Sequence, residues 1–307
     1  MPDIVVIGSL NMDLVIGVPR MPLAGETIQG RDFQTIPGGK GANQAAAAAK
    51  LGGQVAMVGR VGDDVFGPGL IENLNRQGVD TGAIKIDSEA ATGVALIIVD
   101  EAGENSIVVS AGANGRVSIE DVAGIEGLLR QARLLLLQHE VPLATVAYAI
   151  DMAARHRVRV ILNPAPAQPV SPELLSRVDY VVPNESEARI LTGLEVKDLT
   201  TATAAGRRLL DYGVPVVIIT LGEQGALLVT EQGTSHVPAR QVKAVDTTAA
   251  GDAFIGGLAA ALVKGFPLRE AVRYATCAGT LATTVFGAQT SLPSEARVQE
   301  FYESGSL

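Results

Sequence analysis

Basic charge, cysteine, histidine and long apolar runs are all scarce in this chain of 307 residues. Acidic residues outnumber basic ones by 33 to 24, for a net charge of −9 and a pI of about 4.9. That balance argues against nucleic acid or an anionic membrane as the main partner. Cys277 is the only cysteine, so no intrachain disulfide can form. Its place in an apolar run marks a small core residue rather than a nucleophile. His139, His156 and His236 lie far apart without metal-ligand spacing, and each is expected to be an ordinary surface or core residue. No uninterrupted apolar run approaches the ~20 residues of a membrane span. The N-terminus reaches Ile4-Val5-Val6-Ile7 with no basic n-region and no cleavage pattern, so no signal peptide is read and a cytoplasmic location is expected. A Walker A loop, a Gly-x-Ser-x-Gly elbow and a Cys-x-x-Cys pair are missing too. Gly39-Lys40-Gly41 opens like a dinucleotide fingerprint, but Gln44 stands where Gly or Ala is needed. There is no internal repeat, low-complexity linker or long charge run.

What is present is 47% hydrophobic residues and 34 glycines, enough for a sizeable core in one large α/β domain or two smaller ones. Apolar strand-like runs recur at Ile4–Ile7, Val55–Val58, Leu134–Leu137, Val158–Leu162, Tyr180–Val182, Val216–Thr220 and Ala226–Val229. Between most of them lie helix-length segments such as Gly41–Leu51, Gly67–Gln77, Ala144–Arg155, Thr200–Tyr212 and Leu268–Thr284. Near-continuous apolar strands alternating with helices predict an α/β fold with a mostly parallel sheet covered on both faces. Ligands then sit at the carboxyl ends of the strands. Two β-rich segments break the rhythm, Asp13 to Pro37 and Thr92 to Ala111. In the second, Thr92–Val99 and Asn105–Ser110 flank a turn at Glu101-Ala102-Gly103-Glu104, which predicts a hairpin. The two segments are read as a small separate sheet, a lid. The alternative is two excursions of the main sheet.

Asp246-Thr247-Thr248-Ala249-Ala250-Gly251-Asp252 leads into a helix-like run, Ala253 to Lys264. Small residues at a helix N-terminus leave backbone N–H groups uncovered, which makes an anion site. A carboxylate beside such a cradle suits a reaction in which a hydroxyl loses its proton while attacking a phosphoryl group. The rival reading is a helix cap, with Thr247 or Thr248 starting the helix.

Other polar residues gather at strand ends. Asn11 and Asp13 face one side of an extended segment, fit to hold vicinal hydroxyls or to close an Asx turn. Gly38-Gly39-Lys40-Gly41-Ala42-Asn43 combines close backbone approach with added donors, or is a flexible loop. Asp64 reads as an N-cap. Glu140 and Asn163 each follow an apolar run. Asn184 and Glu187 fit either a capping box or a phosphate–Mg²⁺ site reached through water. Thr220 to Gly225 is either a hairpin turn or a place of close contact with a nucleotide.

Together these motifs resemble the ribokinase-like carbohydrate kinases over nearly the whole chain. The resemblance rests on Gly38–Asn43, Asn184–Glu187 and Asp246–Asp252. Gly8–Asp13 and Gly287–Ser291 look most like the ribokinases within that family. It implies a single kinase domain, residues 1–307, with a three-layer fold and a small β-sheet lid formed at about 13–37 and 92–111. It implies transfer of the γ-phosphoryl group of ATP to the primary hydroxyl of ribose, giving ribose 5-phosphate. Asp252 would be the base, and the backbone of Ala249, Ala250 and Gly251 the anion hole. Asn11, Asp13, Gly39, Lys40, Asn43 and Glu140 would bind the sugar. Asn184, Thr220, Gly222, Gly225 and Gly251 would line the nucleotide site, with Glu187 organising Mg²⁺ indirectly. The position that often carries Asn or His beside the adenine is Thr276. A monovalent cation, usually K⁺, would sit at Asp246, Thr248, Ala282, Val285, Gly287 and Ser291. A homodimer through the lids is implied as well. One cation, Lys40, beside two acids, Asp13 and Glu140, suits a neutral polyol better than a sugar phosphate. Other acceptors within the family stay open: fructose, a nucleoside or a deoxy sugar acid. So does a non-catalytic sugar-binding protein. A Rossmann oxidoreductase is opposed by Gln44.

Overall fold

A computed structural model describes residues 2–305. Met1, Ser306 and Leu307 of the span read as one kinase domain lie outside the described residues. Among the described residues the strands are β1 Ile4–Ile7, β2 Asn11–Gly17, β3 Arg31–Gly38, β4 Val55–Gly62, β5 Val79–Asp87, β6 Gly93–Val99, β7 Asn105–Ser110, β8 Leu134–Leu137, β9 Arg159–Leu162, β10 Tyr180–Val181, β11 Val216–Thr220, β12 Ala226–Thr230 and β13 Gly233–Val237. The α-helices are α1 Lys40–Lys50, α2 Gly67–Arg76, α3 Ile119–Ala123, α4 Glu126–Leu129, α5 Leu143–His156, α6 Pro172–Leu175, α7 Glu185–Thr192, α8 Leu199–Asp211, α9 Ala250–Val263, α10 Leu268–Ala282, α11 Ala288–Ser291 and α12 Glu295–Glu303.

Nine strands form the main sheet in the order β13-β12-β11-β10-β9-β8-β1-β4-β5. All neighbours run parallel except β11–β12 and β12–β13. Side chains of a strand alternate between faces, and the core divides accordingly. Ile4, Val6, Leu134 and Leu136 join one apolar cluster, completed by α1, α9 and α10. Val5, Ile7, Leu135 and Leu137 join the other, completed by α5 and α8. Helices therefore cover both faces, which is why β1 and β8 carry no polar residue and are fully buried.

Strands β5 and β13 extend the sheet at its edges beyond the apolar runs that the sequence picks out. Their sequences, VDTGAIKID and GTSHV, are half polar because an edge strand is wetted on one side.

A second sheet has the order β3-β2-β6-β7. Strands β2 and β6 pair in parallel, Asn11 opposite Gly93, and β6–β7 is the expected hairpin. Asn114, fully buried after β7, ties this sheet's base together. It donates to the Leu10 carbonyl at 3.0 Å and to Asn11 Oδ1 at 2.7 Å, and accepts from the Leu10 N–H at 2.9 Å. A Cβ at Gly93 would lie 2.2 Å from the Asn114 amide nitrogen, so only glycine leaves room for that amide.

Candidate active site

Lys40, Asp252, Glu187 and the residues predicted for the anion hole and the nucleotide line one two-part groove at the carboxyl ends of the central strands, and the sugar set adjoins it through Asn43, which bonds Asp252. Helix α1 starts there because Gly39, at φ 90°, turns the chain where a side chain would strike the backbone of Ser9 and Asn11. The Ser9 hydroxyl donates to Glu140 and accepts from the Gly41 N–H at 3.3 Å, while Glu140 Oε2 accepts from the Lys40 N–H at 3.1 Å. Glu140, three residues beyond β8, thus caps the α1 N-terminus, where a carboxylate is favoured by the helix dipole. Asp13, on β2, fills the space that a side chain at Gly38 would take.

The threonine cap proposed for α9 is not formed. Ala249 is the N-cap, with left-handed dihedrals (φ 59°), and no side chain bonds the helix start. Thr248 instead donates its N–H (2.9 Å) and hydroxyl (2.7 Å) to Asp246 Oδ1. A left-handed alanine costs about 1–3 kcal/mol and persists only where its surroundings hold it. Beside it Gly251 faces open space, with nothing within 4 Å of a Cβ built there. Ala249, Ala250 and Gly251 line the groove at this turn; the Ala250 N–H is engaged by the Thr247 carbonyl at 3.2 Å, and no side chain covers the N–H groups of Ala249 and Gly251.

Asp252 lies one residue further and is buried. Its Oδ2 accepts from Asn43 Nδ2 at 2.9 Å and its Oδ1 from Gln44 Nε2 at 3.0 Å. Burial pushes the Asp252 carboxyl above the ordinary range, against the Lys40 cation and the two amide donors. Burial first, then the Glu140 and Asp252 charges, raise Asp13 to about 7 despite Lys40. Lys40 itself is held above its usual value: burial works to lower it, but Asp252, Glu140, Glu187 and Asp13 outweigh that. Burial also raises Glu187, opposed by the Asn184 backbone and Lys40.

A cavity of about 220 Å³ opens onto Asp252, lined by Lys40, Asn163, Glu187, Thr247, Gly251 and others. Through Asn184, Thr220, Thr247 and Gly251 it joins a larger one of about 450 Å³. Gly222, Gly225, Phe254 and Thr276 line that second space. Asn184 and Glu187 do form a capping box on α7, the Asn184 N–H reaching Glu187 Oε2 at 2.8 Å. The Gly222–Gly225 segment does join two antiparallel strands. In both places the structural reading and exposure to the groove hold together. The Thr276 hydroxyl donates to the Val272 carbonyl at 2.9 Å, so that residue offers the groove little polarity. Asp64 is not the N-cap of α2, which is Phe66, but from two residues upstream it accepts the N–H groups of Phe66 and Gly67 at the helix start and also holds Thr92 at the entry to β6.

The second set lies across a neighbouring loop. Asp246 Oδ2 accepts from the Gly287 N–H at 2.8 Å, and the Ser291 hydroxyl donates to the Ala288 carbonyl. Ala282 ends α10, and the Val285 N–H returns to its carbonyl. Among the described residues no group of three or more His, Cys, Asp or Glu is placed to hold a metal ion. Burial lowers His139 to about 4 and raises the Cys277 thiol to about 11, so neither is a charged or nucleophilic group at neutral pH. His156 meets Glu126 and His236 the Gln224 carbonyl. Sequence reasoning assigned no site role to Gln44, Gln138 or Asn163, three amides packed behind Asp252. Their sequence signal was a glutamine next to Asn43 at the head of an alanine run and two amides just past strand ends.

Compared with known families, residues 1–295 match the profile of the pfkB family carbohydrate kinases. The chain belongs to that family. Its chemistry is phosphoryl transfer from ATP to a small sugar. The chain is 44% identical over 299 residues to a ribokinase of Haemophilus influenzae, covering 97% of each. It is 42% identical over 306 residues to a deoxyribokinase of Salmonella typhi, covering 99% of each. The solved structure of an Arabidopsis thaliana ribokinase complexed with ribose and ATP is similar, with a TM-score of 0.89, 34% identity, and 98% of this chain and 99% of that one covered. Among the described residues no helix is long and apolar enough to cross a membrane.

Proposed function

We propose that this protein is a ribokinase, converting D-ribose and ATP to D-ribose 5-phosphate and ADP. The observation that carries the reading is the buried Asp252 carboxylate at the open N-terminus of α9, with Lys40 nearby and a two-part groove in front. The sugar's 5-oxygen attacks the γ-phosphorus, the bond to the β,γ-bridging oxygen breaks, and the hydroxyl proton passes to Asp252. The loose transition state asks mainly for alignment and for stabilisation of charge on the equatorial oxygens. The N–H groups around Ala249, Ala250 and Gly251 supply that stabilisation from fixed positions. Asn11, Asp13, Gly39, Lys40, Asn43 and Glu140 hold the sugar. Asn184, Thr220, Gly222, Gly225 and Thr276 line the nucleotide subsite. The β2-β3-β6-β7 sheet acts as a lid that closes on the sugar and keeps water from the γ-phosphate.

Mg²⁺ brought in with the nucleotide neutralises the phosphate charge. Glu187 fits it through water, since the Asn184 N–H and side-chain amide already occupy its two oxygens. The Asp246 set supplies one carboxylate, the Ser291 hydroxyl and backbone carbonyls around Thr248, Ala282, Val285 and Gly287. An all-oxygen set of low charge fits a hard monovalent cation such as K⁺.

The 42% identity to a deoxyribokinase favours one second reading, 2-deoxyribose as acceptor. The test is ADP release from MgATP with ribose, 2-deoxyribose, fructose, adenosine and fructose 6-phosphate, in K⁺ or in a bulky organic cation. Ribose preference with K⁺ activation is expected, and Asp252→Asn should lower turnover by at least ~10²-fold. Preference for another acceptor overturns the ribose assignment. No transfer to any acceptor returns the protein to a sugar-binding role.

A further inference from the structure

Gln44, the residue that breaks the dinucleotide fingerprint, is fully buried at the start of the second turn of α1. Each of its amide groups is engaged. Nε2 donates to Asp252 Oδ1 at 3.0 Å and to Asn163 Oδ1 at 3.2 Å. Oε1 accepts from Gln138 Nε2 at 2.6 Å. Asn163 is fixed in turn by donating to the Val182 carbonyl at 3.0 Å. The chain of amides therefore runs from the end of β8, through α1, to the ends of β9 and β10, and meets α9 at one carboxylate oxygen. Rotating the Gln44 amide would set its oxygen against the Asp252 carboxylate and its nitrogen against the Gln138 nitrogen, so the Asp252 carboxylate, which can only accept, sets the Gln44 amide, and Gln138 supports that setting from behind.

Asn43 contrasts with it. Its Nδ2 holds Asp252 Oδ2 at 2.9 Å, but its own Oδ1 is buried without a hydrogen-bond partner. Asn43 holds the carboxylate by a single bond, whereas Gln44 is held by three, so Asn43 is the easier of the two to displace when a hydroxyl-bearing ligand arrives.

We propose that Gln44, supported by Gln138, is a positioning residue for phosphoryl transfer: it pins Oδ1 of Asp252 and leaves Oδ2, released by Asn43, as the oxygen that takes the substrate proton. The assignment rests on Asp252 acting as the base. It divides the two carboxylate oxygens between orientation and chemistry. In a reaction governed by alignment, such a hold acts on turnover rather than on affinity. The same bond favours the ionised carboxylate. Lys40 acts in the same direction, while burial and Glu140 oppose them; the acids Asp13 and Glu187 stand nearby.

The test compares wild type, Gln44→Met, Gln138→Leu and Asp252→Asn on the acceptor the wild type prefers, recording kcat, both KM values and kcat against pH. Gln44→Met should lower kcat by about 10- to 100-fold with both KM values little changed. Its acid limb should move to higher pH, because a donor to the charged carboxylate is gone. Gln138→Leu should do the same less strongly, and it serves alone if Gln44→Met does not fold. A wild-type kcat and acid limb in the amide variants, or a loss confined to KM, overturns the role of Gln44 while leaving the kinase intact. A wild type inactive on every acceptor, matched by Asp252→Asn, overturns the kinase reading and this inference with it.

Discussion

Asp13 shares its surroundings with the Glu140 and Asp252 carboxylates and one cation, Lys40. Its folded-state value of about 7 stands above the ordinary 3.8, so the folded chain keeps a proton that the unfolded chain gives up between those limits. Stability drawn from Asp13 is therefore complete below pH 3.8 and fades as pH rises to about 7. Asp13→Asn should gain stability relative to wild type across that window, as read by urea unfolding at a series of pH values. A constant gap would contradict it. Sugar binding follows the opposite course. An ionised Asp13 accepts two hydroxyl hydrogen bonds, so KM for the sugar should fall as pH rises through about 7 in wild type and stay flat, though higher, in Asp13→Asn. At this scale Asp252 and Lys40 were legible because a charge in a small-residue setting stands out. Gln44, Gln138 and Asn163 were not, because an amide matters here only through the partner it meets, and those partners lie 94 to 208 residues away.

Helices α1 and α9 carry the two halves of the site, and they are held together by small residues. A Cβ on Gly256 would lie 2.4 Å from the Ala47 Cβ and 2.7 Å from the Ala48 nitrogen. Gly256→Ala must therefore push the helices apart, a kind of overpacking that costs about 1–3 kcal/mol. It should also separate Asn43 and Gln44 from Asp252. A fall in the unfolding midpoint together with a fall in kcat is expected. A lower midpoint with unchanged kcat would mean that the site tolerates the shift. The central strands were readable as apolar runs because both their faces are buried. Strands β5 and β13 were not, since as edge strands they carry many exposed polar residues. Of the two readings of the α9 start, the threonine cap fails because Asp246, two residues before Thr248, takes its hydroxyl and N–H.

The molecule as a whole leaves the β7 edge of its smaller sheet uncovered. Every residue of β7 is exposed, and Ile107, Val108 and Val109 are large apolar side chains in solvent, as is Leu96, which pairs with Val108. A long apolar edge strand invites pairing with another chain. A second copy using the same edge is the expected partner, giving a symmetric dimer. Val108→Glu should convert a dimer to a monomer in light scattering after size-exclusion chromatography, and the Tm should become independent of protein concentration. A wild type that is monomeric at all concentrations would remove the lid-to-lid assembly.

The sequence by itself determined the family, the alternation of buried strands and helices, and the chemical types gathered at the strand ends. These properties are local: burial writes itself into runs of apolar residues, and close backbone approach into glycines. Only the tertiary structure decided which amide faces which oxygen of Asp252, that Glu140 caps the helix carrying Lys40, and that Asn114 reaches back to Asn11. Each of those is a pairing between distant segments, set by packing at the ends of a nine-stranded sheet, and no spacing along the chain encodes it.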